Sequence, residues 1–231
     1  SMNYSYFFNN CQNYNQPTTL RFHEVSSTDN EGAYLSMECF FADCYSFNSR
    51  VIFDFDKANK STTNSEEAMI QYSCGAMFAG CNHFNQPLIF PAGITNTMSM
   101  FYNCENFNQP VVFDLNLGAY YISFSELFRT APNMCADIIF LNSNNMKYQD
   151  HMFDYLVNNT RSNTINIFID NVTGIKNNNL TGQGTITWTE YASPYGYTTY
   201  ANSAYKIQII DNAQYGLDKF NNYYNNFYNL G

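Results

Sequence analysis

The stretch Met77-Phe78-Ala79-Gly80-Cys81-Asn82-His83-Phe84-Asn85-Gln86-Pro87-Leu88-Ile89-Phe90 is followed by Met100-Phe101-Tyr102-Asn103-Cys104-Glu105-Asn106-Phe107-Asn108-Gln109-Pro110-Val111-Val112-Phe113. One pattern, M-F-x-x-C-x-x-F-N-Q-P-φ-φ-F (φ apolar), is written twice. Self-similarity at a period of about 20 to 50 residues marks a stacked repeat, in which no unit can bury its apolar face alone and each covers its neighbours.

Working outward, the second aromatic of the pattern aligns Phe8, Phe41, Phe78, Phe101, Phe128 and Phe153. The steps run from 23 residues (Phe78 to Phe101) to 37 (Phe41 to Phe78), and the long early steps carry polar insertions, His23 to Glu31 and Lys57 to Glu67. Such insertions are expected as loops thrown out from one face, where repeat proteins often bind. Three residues after each anchor stand Cys11, Cys44, Cys81, Cys104, Ala131 and Leu156, and six after it Tyr14, Phe47, Phe84, Phe107, Met134 and Asn159. An i, i+3, i+6 spacing suits a short helical or 3₁₀ turn with one face inward.

Ten residues after each anchor a β-prone run begins: Thr18 to Phe22, Val51 to Phe55, Leu88 to Phe90, Val111 to Phe113, Ile138 to Phe140 and, a little later, Ile165 to Ile169. Gln-Pro fits just before a strand, because Pro is tolerated at its first residue and pushes its neighbour to extended geometry. The expected fold is an α+β repeat, a leucine-rich-repeat-like solenoid with short helical turns and one stacked parallel sheet over residues 2 to 170. Residues 171 to 231 are expected to add a β-hairpin cap, Gly182 to Tyr191 against Tyr205 to Ile210 across Ser193-Pro194-Tyr195-Gly196, and a terminal amphipathic helix carrying Leu217, Phe220, Tyr224 and Phe227.

Composition narrows the function classes. The chain has 231 residues, 45% hydrophobic, with 20 Tyr and 21 Phe but only 13% charged residues. A net charge of −9 with only 10 Lys and Arg opposes nucleic-acid binding, which needs clustered cations to neutralise phosphate. No apolar run reaches the roughly 20 residues of a bilayer span, so no membrane insertion is expected. Ser1-Met2 reads as a cloning remnant without a signal peptide behind it, and the chain is expected to be part of a longer protein.

The quoted pattern resembles the leucine-rich repeats of BspA-like proteins and the bacterial surface repeats written M-F-x-x-[AC]-x-x-F-N-Q-P-L. The match is specific over Met77 to Phe113, recognisable over Phe7 to Pro17 and Phe40 to Asn48, and weak over Leu127 to Asp170. The Trp-Asp-Thr-Ser that often follows F-N-Q-P-L is absent. Cys-rich, Tyr- and Asn-rich forms are similar to tail proteins of phages and prophages of gut bacteria, including a closing segment like Thr185 to Tyr191. The resemblance implies a non-enzymatic extracellular recognition module on a virion tail or bacterial cell surface, either a phage receptor-binding part, an adhesin, or a structural fibre spacer that trimerises. Its partners would be a bacterial surface glycan or protein, or a host-cell ligand, with a homotrimer as one assembly.

Chemistry-bearing residues are few. Cys11, Cys44, Cys81 and Cys104 occupy one equivalent position per repeat and are expected as a ladder of small buried side chains rather than metal ligands. Cys39, Cys74 and Cys135 fall outside it, and sequence does not choose a pairing among them. His23, His83 and His151 are separated; Asp54 and Asp114 sit at equivalent positions past strands, read as turn formers or Ca²⁺ ligands; Glu66-Glu67 reads as a solvated loop. No catalytic residue, cofactor site or metal site is expected. Strand alternation directs Val51/Phe53, Leu88/Phe90, Val111/Phe113, Ile138/Phe140 and Ile165/Ile167 inward. The outer row is then Thr19, Ile52, Ile89, Val112, Ile139 and, with a register slip, Asn166 and Phe168. An apolar stripe of this length marks an interface, covered by partner copies or by the C-terminal segment folding back.

Overall fold

A computed structural model describes residues 2–22, 34–55, 71–115, 122–146, 151–153, 163–182, 184 and 186–224. The two insertions, Glu66-Glu67, Leu156, Asn159 and Phe227 lie outside the described residues. In chain order the strands are β1 (Met2–Asn3), β2 (Thr18–Arg21), β3 (Tyr34–Ser36), β4 (Val51–Asp54), β5 (Gln71–Ser73), β6 (Leu88–Phe90), β7 (Ile94–Asn96), β8 (Val111–Asp114), β9 (Ile138–Leu141) and β10 (Ile165–Ile169). Helix α1 (Val172–Lys176), β11 (Thr189–Ala192), β12 (Thr198–Asn202), β13 (Ile207–Ile210) and helix α2 (Ala213–Tyr223) complete the described elements.

These strands form three sheets: β1-β3-β5-β7, β2-β4, and β11-β12-β13-β10-β9-β8-β6. The first two are parallel, and the third is parallel from β6 to β13 and antiparallel at β12 and β11. The α+β class expected from the sequence, a leucine-rich-repeat solenoid with helical turns and one stacked sheet, is therefore corrected to a mostly β chain in three sheets. Strands foreseen as one sheet are divided, because β4 and β6 are not hydrogen-bonded to each other, although Phe53 and Phe90 meet at 4.9 Å between ring centroids.

The segments between the sheets show why no helix forms there. Phe40, Ala42 and Cys44 donate their N–H groups to the carbonyls of Met37, Cys39 and Phe41, while the alternating Cys39, Phe41 and Asp43 donate sideways to Gly75, Met77 and Ala79. A helix needs every successive N–H to bond back along its own chain. Here half of them bond to the next repeat, and the chain bends by linked turns instead. Each bend has a left-handed residue two before the anchor, at Tyr6, Cys39, Ala76, Ser99, Glu126 and His151, and another two after it, at Asn10, Asp43, Gly80, Asn103 and Thr130. Left-handed backbone cannot belong to a right-handed helix, and the second series is mostly Asn, Asp and Gly, the residues that tolerate it best.

The inward positions build three files of rings. Phe8, Phe41, Phe78, Phe101, Phe128 and Phe153 stack at successive centroid distances of 5.7, 5.6, 5.8, 5.2 and 5.8 Å. A second file, Tyr14, Phe47, Phe84 and Phe107, runs at 5.7, 5.6 and 5.8 Å, and Phe53, Phe90, Phe113 and Phe140 make the third at 4.9, 5.0 and 5.5 Å. Most of these rings are fully buried, each stabilising the fold by about 1.5 to 3 kcal/mol.

The expected hairpin is corrected in its partners. β11 pairs with β12 across Ser193 to Tyr197, and β13 lies parallel to β10, with Phe168 opposite Ile210. β13 thus ends the parallel series, and the hairpin hangs from its far edge.

Candidate functional site

The apolar stripe is occupied from within the chain. Val112, Ile139 and Phe168 are buried in a small second core with Ile210 and Phe220, and Ile89, Leu217 and Tyr224 pack at its margin. Ile52 and Ile89 are half-buried. Phe168 lies directly beside Ile139 in the sheet, so the stripe needs no register slip. Helix α2 is the cover: the Lys219 ammonium meets Asp137 at 2.9 Å, and the Tyr224 hydroxyl donates to Gln109 at 2.9 Å. The Asn212 side chain accepts the Tyr215 N–H and caps the helix start.

Along the cysteine ladder, the Sγ of Cys44, Cys81 and Cys104 donates to the carbonyls of Phe8, Phe41 and Phe78 at 2.9, 3.0 and 3.0 Å. Burial pushes the Cys44 thiol up to about 11 and raises those of Cys74, Cys81 and Cys104 as well. Cys11 departs from the buried ladder and is exposed; Cys39 and Cys135 are half-buried, and all seven cysteines are free. Among the described residues no group of three His, Cys, Asp or Glu side chains could hold a metal. Asp54 pairs with Arg21 at 2.7 Å, Asp114 accepts from Asn142 at 2.8 Å, and the His83 ring sits edge-on to Tyr45.

Sequence reasoning missed an asparagine ladder. The side-chain oxygens of Asn15, Asn48, Asn85 and Asn108 accept the N–H of Asn48, Asn85, Asn108 and Cys135 at 2.9, 2.9, 2.9 and 3.0 Å. The Asn of F-N-Q-P therefore satisfies a backbone donor in the following repeat. Its recurrence seven residues after the anchor was the available signal.

A row of tyrosines was also missed, because its members lie on different elements. Tyr195 and Tyr197 in the β11–β12 turn stack at 6.4 Å with 21° between ring planes, and Tyr197 and Tyr215 of α2 at 5.3 Å with 22°. Tyr195 is 82% exposed and Tyr215 is 40% exposed. Tyr215 also meets Phe168 edge-on at 5.9 Å, which ties the row to the second core. Near-parallel rings with exposed surface offer electron-rich faces to C–H groups, and their hydroxyls can donate or accept at the rim.

The chain matches no protein-family model, no curated protein and no solved structure. No helix among the described residues is long and apolar enough to cross a membrane.

Proposed function

We propose that this chain is a non-enzymatic recognition module working outside the cell, the tail part of a phage or prophage that contacts a bacterial surface glycan. The row Tyr195–Tyr197–Tyr215 carries this reading: large, stiff rings give contact area at little entropic cost, and their support by a packed helix and hairpin makes them pre-organised. A pyranose face is apolar with a hydroxyl rim, which suits stacked tyrosines. The net charge of −9 favours a neutral glycan over an anionic one. The F-N-Q-P resemblance points to the same extracellular setting. The trimer expected from the stripe is not part of this proposal, since α2 occupies most of that face.

Binding of the purified chain to bacterial cells and to their isolated neutral polysaccharides tests the proposal. Tyr195→Ala should weaken binding by about ten-fold or more, as for an aromatic anchor, while thermal unfolding is unchanged and Tyr195→Phe keeps most of the affinity. Absence of binding to every cell type and polysaccharide tried, or binding indifferent to Tyr195→Ala, would refute it.

A further inference from the structure

The corner that joins each bend to its strand is lined with amides. In the repeats anchored at Phe8, Phe41, Phe78, Phe101 and Phe128, the fourth, fifth, seventh and eighth residues after the anchor make twenty positions; twelve are Asn or Gln, and Glu105 is the one Asp, Glu, Lys or Arg. A face that is polar without being charged selects a ligand of the same kind.

Two files with opposite spare capacity run along this corner. In the first, the side-chain oxygens are used inside the stack. Asn15 Oδ1 accepts from the Asn48 N–H at 2.9 Å and the Ser49 hydroxyl at 2.7 Å; Asn48 Oδ1 accepts from the Asn85 N–H at 2.9 Å and Gln86 Nε2 at 3.1 Å. Asn108 Oδ1 accepts from the Cys135 N–H at 3.0 Å and its Sγ at 3.3 Å. Fixed by their oxygens, Asn15, Asn48, Asn85 and Asn108 hold their NH2 groups in set directions, and among the described residues no acceptor meets those groups. In the second file the donors are used. Asn106 Nδ2 and Asn133 Nδ2 donate to the carbonyls of Asn82 and Glu105 at 2.8 and 2.7 Å, which leaves each Oδ1 to accept. His83 Nδ1 meets the Tyr45 carbonyl at 2.9 Å; a carbonyl only accepts, so Nδ1 carries the proton and Nε2 of the neutral ring accepts as well. Members of both files are exposed apart from half-buried Asn85. Tyr45, 52% exposed, meets His83 edge-to-face at 4.7 Å and adds aromatic surface beside them.

We infer that this corner is a second binding track, for a neutral polysaccharide chain lying along the stack with successive sugar rings over successive repeats. The inference rests on the reading of the chain as a glycan-recognition module, and the track shares no residue with Tyr195, Tyr197 and Tyr215. A hydroxyl both donates and accepts, so a row of sugar hydroxyls satisfies a donor file and an acceptor file together. An anion meets acceptors it cannot pair with and finds no Lys or Arg among the twenty positions. An extended peptide repeats its like-facing groups every second residue, about 6.6 Å, and loses step with repeats about 4.8 Å apart. A sugar ring is close to one repeat in length.

The probes are labelled hexamers of glucose, mannose and N-acetylglucosamine, with their dimers and a galacturonate hexamer for comparison, added to the intact chain. At least one neutral hexamer should bind about ten-fold more tightly than its dimer, the equivalent of one or two net hydrogen bonds. Asn85→Asp combined with Asn108→Asp keeps an oxygen for both backbone N–H groups but removes two donors, so hexamer affinity should fall about ten-fold while the urea midpoint holds. Cys135 takes the fifth place in the donor file and is half-buried. At a hexamer concentration about ten times its Kd, Cys135 alkylation by iodoacetamide should slow about ten-fold, a reading that does not depend on how the variant folds. No hexamer binding, dimers binding as tightly as hexamers, galacturonate binding best, or unprotected Cys135 would overturn the inference. Hexamer binding that is lost in Tyr195→Ala but indifferent to the Asp variant removes this track and leaves the tyrosine site standing; the reverse pattern keeps the track and removes the tyrosine site.

Discussion

The backbone N–H of Asn108 donates to the side-chain oxygen of Asn85, one repeat earlier, at 2.9 Å. The bond holds two polypeptide levels in register at the point where the bend gives way to the strand. Removing the acceptor leaves the Asn108 N–H to water at an exposed site, so Asn85→Ala should cost the net worth of one hydrogen bond, about 0.5 to 1.5 kcal/mol. Urea denaturation checks this against Asn82→Ala, which leaves the bond in place and should change stability by less than about 0.5 kcal/mol. Equal losses for the two variants would remove the ladder's claim to a structural role.

Ala76 sits at φ +51°, left-handed for a residue with a side chain. Replacing it with Gly relieves a strain of about 1 to 2 kcal/mol and adds an unfolded-state entropy cost of about 0.5 to 1 kcal/mol. Ala76→Gly should raise the melting temperature slightly. In a helical turn the same substitution would lower it, so the sign of the shift distinguishes a turn-linked bend from a helix.

Gly216 faces Phe168 so closely that an added Cβ would lie 2.5 Å from both Cβ and the ring carbon Cγ of Phe168 and 2.9 Å from Cγ1 of Ile139. Alanine favours helix by about 1 kcal/mol over glycine, but this Cβ would lever α2 away from the sheet. Gly216→Ala should therefore destabilise the chain by about 1 to 3 kcal/mol and speed amide exchange in α2 relative to β8 and β9. Stabilisation instead would mean that helix propensity outweighs the close approach.

The buried thiols make stability depend on alkaline pH. Cys44 is raised from an ordinary 9.0 to about 11, so the folded state holds its proton where the unfolded chain begins to release it. The stabilisation is complete below pH about 9 and is lost as pH rises toward about 11. The urea midpoint should fall across that window, and less steeply in Cys44→Ala. A flat or rising midpoint would contradict the burial of these groups. In the native state at neutral pH, Cys11 should react readily with a thiol reagent, while Cys74, Cys81 and Cys104 should react only after unfolding.

Sequence by itself determined the repeat, its anchors and the side chains that face inward. A buried ring every repeat leaves a periodic mark, and the spacing of Phe41, Cys44 and Phe47 requires a bend with one apolar face. The same spacing is satisfied by a 3₁₀ turn and by linked β-turns. What separates them is the partner of each alternate N–H, which lies a whole repeat away and leaves no local trace beyond Asn, Asp or Gly two residues past the anchor. The division into three sheets and the parallel docking of β13 on β10 were likewise decided by tertiary pairing. The stripe of Val112, Ile139 and Phe168 was legible as a surface needing cover. That α2 supplies the cover depends on Gly216 allowing contact with Phe168 and on Lys219 reaching Asp137, and the tyrosine row exists only because that docking brings Tyr215 beside Tyr197.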